Sequence, residues 1–397
     1  MSRRSVLGAL CAGNGALVEM ATTRIAGQRR TFTSTVQRNA RISHFTPTSS
    51  PELDELLSTI RHKIILPAYL PYIQRKRIYS PKWEKKLQSD PIIIEIDGEI
   101  LKFRHEDRFS LPPTQQSALS AIRQFETPAD FANLRPLLEG LAYAGRKLRF
   151  KFWTSMIRRV GEKGRISLII DCAVAVERTN LRLDSSEKVN EVMHWLQMAA
   201  IDSEWDETKT RKALRRAELV LDLLQEEGHQ PKRPKGEPPI KGEFPLYRDP
   251  MVLLAPLHLA AGLVSRYEVD ENVVDRMNQY ARDVVMLWPE GKKLTELYPE
   301  ESFEDEANRN YLIQPNIFIA FVTPLIAGLE TTIKEVKPEL ASQLQSRLDA
   351  LKLELQQAQA ANDRIGRGSQ VYEKIYGTQE QTDNSGEGGP LNEAGAG

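Results

Sequence analysis

The chain has little of what most enzymes and metalloproteins need. Its 397 residues include two cysteines, Cys11 and Cys172, too few for a disulfide framework or a zinc cluster. None of the six histidines, His44, His62, His105, His194, His229 and His258, stands at metal-ligand spacing from another. His105-Glu106-Asp107 lacks the second histidine of a zinc-protease motif. There is no Gly-x-Ser-x-Gly and no dinucleotide fingerprint, and Gly161 to Gly164 is too short for a phosphate loop. The apolar stretches Met251 to Val264 and Ile317 to Leu329 are interrupted by Pro256, His258 and Pro324 and fall short of the ~20 residues that span a bilayer. Net charge is absent too, since 54 Lys and Arg balance 54 Asp and Glu. These absences predict no catalytic residues, no metal site, no cofactor and no transmembrane segment, and so a protein that is not an enzyme.

What is present begins at the N-terminus. Arg3, Arg4, Arg24, Arg29, Arg30 and Arg38 stand against a single acid, Glu19, among Ser, Thr, Ala and Gly. An arginine-studded segment poor in acids has the composition of a mitochondrial transit peptide. Arg30-Thr31-Phe32 resembles the arginine-then-aromatic sites cut by the matrix processing peptidase, so residues 1–32 are expected to be removed and the mature chain to reside in the matrix. Five of the 54 bases and one of the 54 acids precede Phe32, leaving 49 bases against 53 acids. Polyanion binding by the mature part must therefore come from local patches.

Residues 33–51 read as a linker, rich in Ser, Thr and Pro between Thr46 and Pro51. A basic N-terminal extension follows over 52–112. It opens with an amphipathic helix from Glu52 to Lys63, and two prolines, Pro67 and Pro71, then forbid a continuous helix. The single convincing β signal is Ile92 to Ile96, Asp97-Gly98, and Glu99 to Phe103. Asp-Gly supplies the positive φ angles of a type I′ turn, which predicts a hairpin over 92–103.

From Gln115 the periodicity is helical. Gln115–Gln124, Pro128–Ala144, Phe152–Glu162, Ile166–Thr179, Ser185–Ile201 and Asp206–Glu227 are expected helices separated by short turns. Over 228–249 a Pro/Lys-rich linker packs five prolines, with Pro250 directly after it, which favours an extended spacer. A second helical domain is expected over 250–363, ending in a helix from Lys337 to Asp363, with a disordered tail over 364–397. Within it, Asp249-Pro250-Met251 through Gly262-Leu263 echoes Gln314-Pro315-Asn316 through Gly328-Leu329. The fold class is thus all-α, a helix-turn-helix repeat of α-solenoid type with one small β-hairpin near the N-terminus.

Two basic clusters stand out from this acidic background. Residues 61 to 86 hold Arg61, Lys63, Arg75, Lys76, Arg77, Lys82, Lys85 and Lys86 against Glu84. Residues 146 to 165 hold Arg146, Lys147, Arg149, Lys151, Arg158, Arg159, Lys163 and Arg165 against Glu162. Bases interleaved with Tyr79, Trp83, Phe150, Phe152 and Trp153 suit RNA, supplying charge for phosphates and rings for unstacked bases. The candidate interface is Arg75, Arg77, Lys82, Lys85, Lys86, Arg146, Lys147, Arg149, Lys151, Arg158, Arg159, Lys163 and Arg165. The remaining features read as structure. Phe152, Trp153 and Met156 are expected in the core, Cys172 is an apolar filler, and Glu300, Glu301, Glu304, Asp305 and Glu306 form a solvated acidic loop.

The unit Arg149 to Leu183 has two helices, a glycine turn at Glu162-Lys163-Gly164-Arg165 and an exit at Thr179 to Asp184. It resembles a pentatricopeptide repeat, and the neighbouring Ser117 to Leu148 has a similar plan, with a tetratricopeptide-type array explaining the same spacing. The resemblance covers roughly 110 residues and points to the degenerate helical-repeat proteins of fungal-type mitochondria. It implies a non-catalytic gene-expression factor binding mitochondrial RNA or the mitochondrial ribosome, in translation, transcript maturation or ribosome structure and assembly. In such arrays polar side chains read bases, and Thr154, Ser155, Asn180 and Asp184 fall in the corresponding region. The alternative is a protein–protein scaffold for respiratory-complex assembly, with other matrix proteins as partners. Peripheral contact with the inner membrane is compatible with either.

Overall fold

Local sequence chemistry sets most of the element boundaries in the computed structural model, which describes residues 42–231, 242–305 and 308–377. The expected transit peptide and Cys11 lie outside the described residues, as do residues 232–241 of the proline-rich stretch and the end of the tail (378–397). Helix α1 (Pro51–Ile60) starts on a proline and runs into a π-turn at Arg61–Ile65. Pro67 and Pro71 break the chain before α2 (Tyr72–Ile78), and a turn at Pro81–Trp83 leads to α3 (Glu84–Ser89). Strands β1 (Ile92–Ile96) and β2 (Glu99–Phe103) pair antiparallel, Ile92 opposite Phe103 and Ile96 opposite Glu99. Asp97 and Gly98 both have positive φ, 52° and 79°, as a type I′ turn requires. Its inner face covers a small core of Ile42, Leu66, Leu70, Ile78, Leu87, Leu101 and Phe103.

The rest is helical. The segment Pro128–Ala144, expected as one helix, is divided into α5 (Pro128–Ala132) and α6 (Leu134–Tyr143), after α4 (Thr114–Arg123). Pro136 lacks the N–H that would continue the ladder, and it is tolerated because the helix restarts just before it. Likewise α7 (Phe150–Glu162) is followed by α8 (Ile166–Val174) and a separate turn, α9 (Val176–Thr179). Then come α10 (Ser186–Asp202), α11 (Glu207–Leu223), α12 (Pro250–Val264), α13 (Glu271–Leu287), α14 (Glu301–Glu304), α15 (Pro315–Glu335), α16 (Pro338–Ala360) and α17 (Arg367–Tyr372).

One series of helices stacks in chain order. Helix α1 packs on α4, α4 on α7, α7 on α10, α10 on α12, α12 on α15, and α15 on α16. Thr114, Phe150 and Ser186 open three of them at equal spacing. The fold is therefore an all-α helical repeat with one small hairpin. A single hydrophobic core runs from Leu53 to Leu355 through every member of the series.

Close approach along this stack uses glycine. A Cβ at Gly161 of α7 would collide with the indole of Trp195 on α10, and one at Gly328 of α15 with His258 on α12. Helix α15 is long and apolar enough to cross a membrane by composition, but 67% of its apolar window is buried. Packing against α10, α12, α16 and α17 accounts for that apolarity.

The segments read as linkers are tied down where they are described. Thr46 N donates to Asn133 Oδ1 at 2.7 Å, and Ser49 N to Asp130 Oδ1 at 2.8 Å. Arg309 is fully buried with Asp249 at 2.7 Å and lies 4.0 Å over the Tyr298 ring. Part of the stretch expected as tail is helical. Helix α17 packs on α15, with Gly368 N donating to Asn316 Oδ1 at 2.8 Å.

Candidate nucleic-acid interface

The first cluster is displayed on α2, α3 and the turn between them because Ile78 and Leu87 point into the small core. Lys82, Lys85 and Lys86 are exposed, while Arg75 and Arg77 are half-buried. Arg77 lies 4.7 Å from the Trp83 ring centroid and Lys86 Nζ 5.4 Å from it, cation–π contacts that leave both charges uncancelled. Two flanking bases are neutralised instead, Arg61 by Glu99 at 2.6 Å and Lys63 by Glu106 at 4.0 Å.

The second cluster divides in two. Arg146 and Lys147 sit exposed in the turn after α6, where Gly145 takes φ 64°, and Arg149 precedes α7. Arg149 N donates to Gln115 Oε1 at 3.0 Å, drawing this turn against the start of α4. Pro113 there offers no side-chain cap, so the first N–H groups of α4 keep their positive end. Arg146, Lys147, Arg149 and the first turn of α4 enclose a shallow concavity of about 460 Å³. Lys151 is exposed on the first turn of α7.

Further along α7 the charge is cancelled. Arg158 turns inward, 3.8 Å from Glu187 and 3.5 Å from Glu191 on α10. Arg159 pairs with Glu162 at 2.9 Å and Lys163 with Glu126 at 2.7 Å. Arg165 is exposed. Glu191 also holds Arg367 at 2.8 Å and accepts from Trp195 Nε1 at 2.9 Å, so Arg158 belongs to an internal network.

The uncancelled halves come together. Burial raises the Tyr79 phenol above its usual range, while Arg146, Arg75 and Arg108 pull it down and Glu106 pushes it up. The segment that carries Arg108 is tied to the end of α2, where Glu106 N donates to Ile78 O at 2.9 Å. Tyr143, at the end of α6, stacks on Tyr69 at 4.2 Å between centroids and fixes the same approach. Arg108 stands outside both basic runs, and no local signal marks it. The face of α2 carrying Tyr72, Arg75 and Tyr79 was readable from its i, i+3, i+7 spacing.

The other singled-out residues are structural. Phe152, Trp153 and Met156 are in the core, and Thr154 is buried with its hydroxyl on Lys151 O at 3.5 Å. Ser155 is half-buried, Asn180 ends α9 in the left-handed region, and Asp184 is paired with Lys188. Burial pushes the Cys172 thiol up to about 12, which leaves it unreactive. Among the described residues no group of acids, histidines and cysteines could hold a metal.

Two comparisons bear on this surface. A family model described as mitochondrial ribosomal protein mS27 matches residues 30–375. The small ribosomal subunit protein mS27 of Neurospora crassa is 35% identical over 395 residues, covering 95% of this chain and 99% of the relative.

Proposed function

The chain belongs to the mitochondrial ribosomal protein mS27 family, and on that premise we propose that it is a non-catalytic structural component of the small ribosomal subunit, serving translation in the mitochondrial matrix. The observation that carries this is the family match over nearly the whole chain, from the segment before the hairpin to the end of α17. Its partners are the mitochondrial ribosome and its RNA. The uncancelled bases, Arg75, Arg77, Lys82, Lys85, Lys86, Arg146, Lys147, Arg149 and Arg165, meet RNA phosphates. Arg158 and Lys163 instead tie their segment to other elements through Glu187, Glu191 and Glu126, and Arg159 is neutralised within α7 by Glu162.

The series α4, α7, α10 is read here as a degenerate pentatricopeptide-like array. Its equal spacing supports that reading. Burial of Thr154 and pairing of Asp184 argue that the array acts as a rigid frame and not as a base-reading code. A frame of this kind, carrying a basic surface at one end, fits the requirement of a ribosomal subunit for fixed positions of phosphate contacts.

Capture of the tagged chain from gently lysed mitochondria tests the assignment. Small-subunit proteins and RNA should be recovered together, with recovery reduced by RNase. Recovery of respiratory-complex subunits instead, unaffected by RNase, would overturn it.

A further inference from the structure

Rings as well as charges are exposed around α2. Tyr72 is 69% exposed, Phe109 96% and Tyr143 42%. Large aromatic side chains left in water are unfavourable unless something covers them. Tyr72 shares one face of α2 with Arg75 and Tyr79, and Arg108 and Phe109 follow Glu106, whose N–H donates to Ile78 O at the end of α2 at 2.9 Å. Tyr143 lies against Tyr69, three residues before Tyr72. Neither Arg75, Arg108 nor Arg146 has a carboxylate within ion-pair distance among the described residues. The surface therefore alternates rings with unneutralised cations.

A duplex would use only the cations. Its bases are stacked on one another and its phosphates face outward, so exposed rings gain nothing from it. An unpaired strand offers both phosphates and free base faces. Resting on the ribosomal reading above, we propose that this face binds unpaired RNA, a loop or single-stranded segment, with Arg75, Arg108 and Arg146 on phosphates and Tyr72, Phe109 and Tyr143 stacking against splayed bases. Because base–aromatic stacking tolerates any base, sequence preference is weak and the recognised feature is strand state.

The test measures binding of the full chain to an unpaired oligouridylate and to a fully paired RNA of equal phosphate number, at one salt concentration. The unpaired RNA should bind more tightly. Tyr72→Ala and Phe109→Ala should each weaken it roughly 10-fold or more while leaving duplex binding unchanged. Tyr72→Phe and Tyr143→Phe keep the ring and should bind as the parent chain does, which separates stacking from any loss of folding. Equal binding of the two RNAs, with the alanine variants unaffected, would overturn the inference while the ribosomal assignment stands. Binding of neither RNA would overturn it as well, and the capture experiment would then decide the assignment separately.

Discussion

Tyr143 stacks on Tyr69 with ring centroids 4.2 Å apart, and the contact joins the end of α6 to the turn before α2. It brings the basic turn at 145–149 beside the basic helix at 72–78. Two runs of charge separated by the hairpin and three helices thereby act on one surface. Double charge reversal, Arg75→Glu with Arg146→Glu, should weaken RNA binding and flatten its dependence on salt. Each lost phosphate contact removes about 0.7 from the log–log slope for a single strand. Lys163→Glu should do much less, because Glu126 already cancels Lys163. Salt titrations of the three proteins check the ordering.

Arg309 and Asp249 form a buried pair that joins the segment before α12 to the segment before α15. Asp249 also accepts from Tyr298 Oη at 2.6 Å and from Met251 N at 2.9 Å, capping α12. Removing one member strands the other charge. Arg309→Met should cost about 3–5 kcal/mol, measured as a lowered denaturation midpoint with unchanged m-value.

Gly161 lets α7 meet the Trp195 indole on α10. Gly161→Ala puts a methyl group into the ring and should destabilise by about 1–3 kcal/mol, whereas alanine at the exposed helix position Arg159 should change stability by less than ~1 kcal/mol. Thermal unfolding of the two variants distinguishes them.

Burial, reinforced by Arg266, lowers the His258 imidazole to about 3, and burial lowers His194 well below its usual range. Neutral His258 donates from Nδ1 to Gln197 Oε1 at 2.9 Å. Both rings stay unprotonated in the folded chain and take up protons once unfolded below about pH 6.5. The unfolded state then binds more protons, so stability is full above that pH and falls as pH drops from 7 towards 3. His258→Asn should make this decline shallower, which urea titrations between pH 7 and 5 would show.

Local chemistry was legible and distant pairing was not. Asp97-Gly98 between alternating strands specified the hairpin and its register without help from the rest of the chain. The echo of Pro250 to Leu263 in Pro315 to Leu329 marked α12 and α15, which pack together and both use a glycine against a ring. The basic runs were visible as runs, but their cancellation was not. Glu187, Glu191 and Glu126 lie on other elements, and only the fold brings them to Arg158 and Lys163.

The same holds for segments of low complexity. Residues 42–50 have no periodicity, yet their backbone is bound to Asp130, Asn133 and Asp97. Burial alone would raise the Asp130 carboxyl, but hydrogen bonds from Thr127, Ser49 and Glu126 outweigh it and hold it well below the carboxylate range. Gly366-Arg367-Gly368 reads as tail by composition. Its glycines instead permit contact with Asn316, and Arg367 reaches Glu191.

Sedimentation of mitochondrial extract on a sucrose gradient tests the central claim most directly. The account predicts that the chain travels with intact ribosomes and, after EDTA separates the subunits, stays with the small-subunit RNA. A chain that remains at the top of the gradient in both conditions, or follows a respiratory complex, would contradict it.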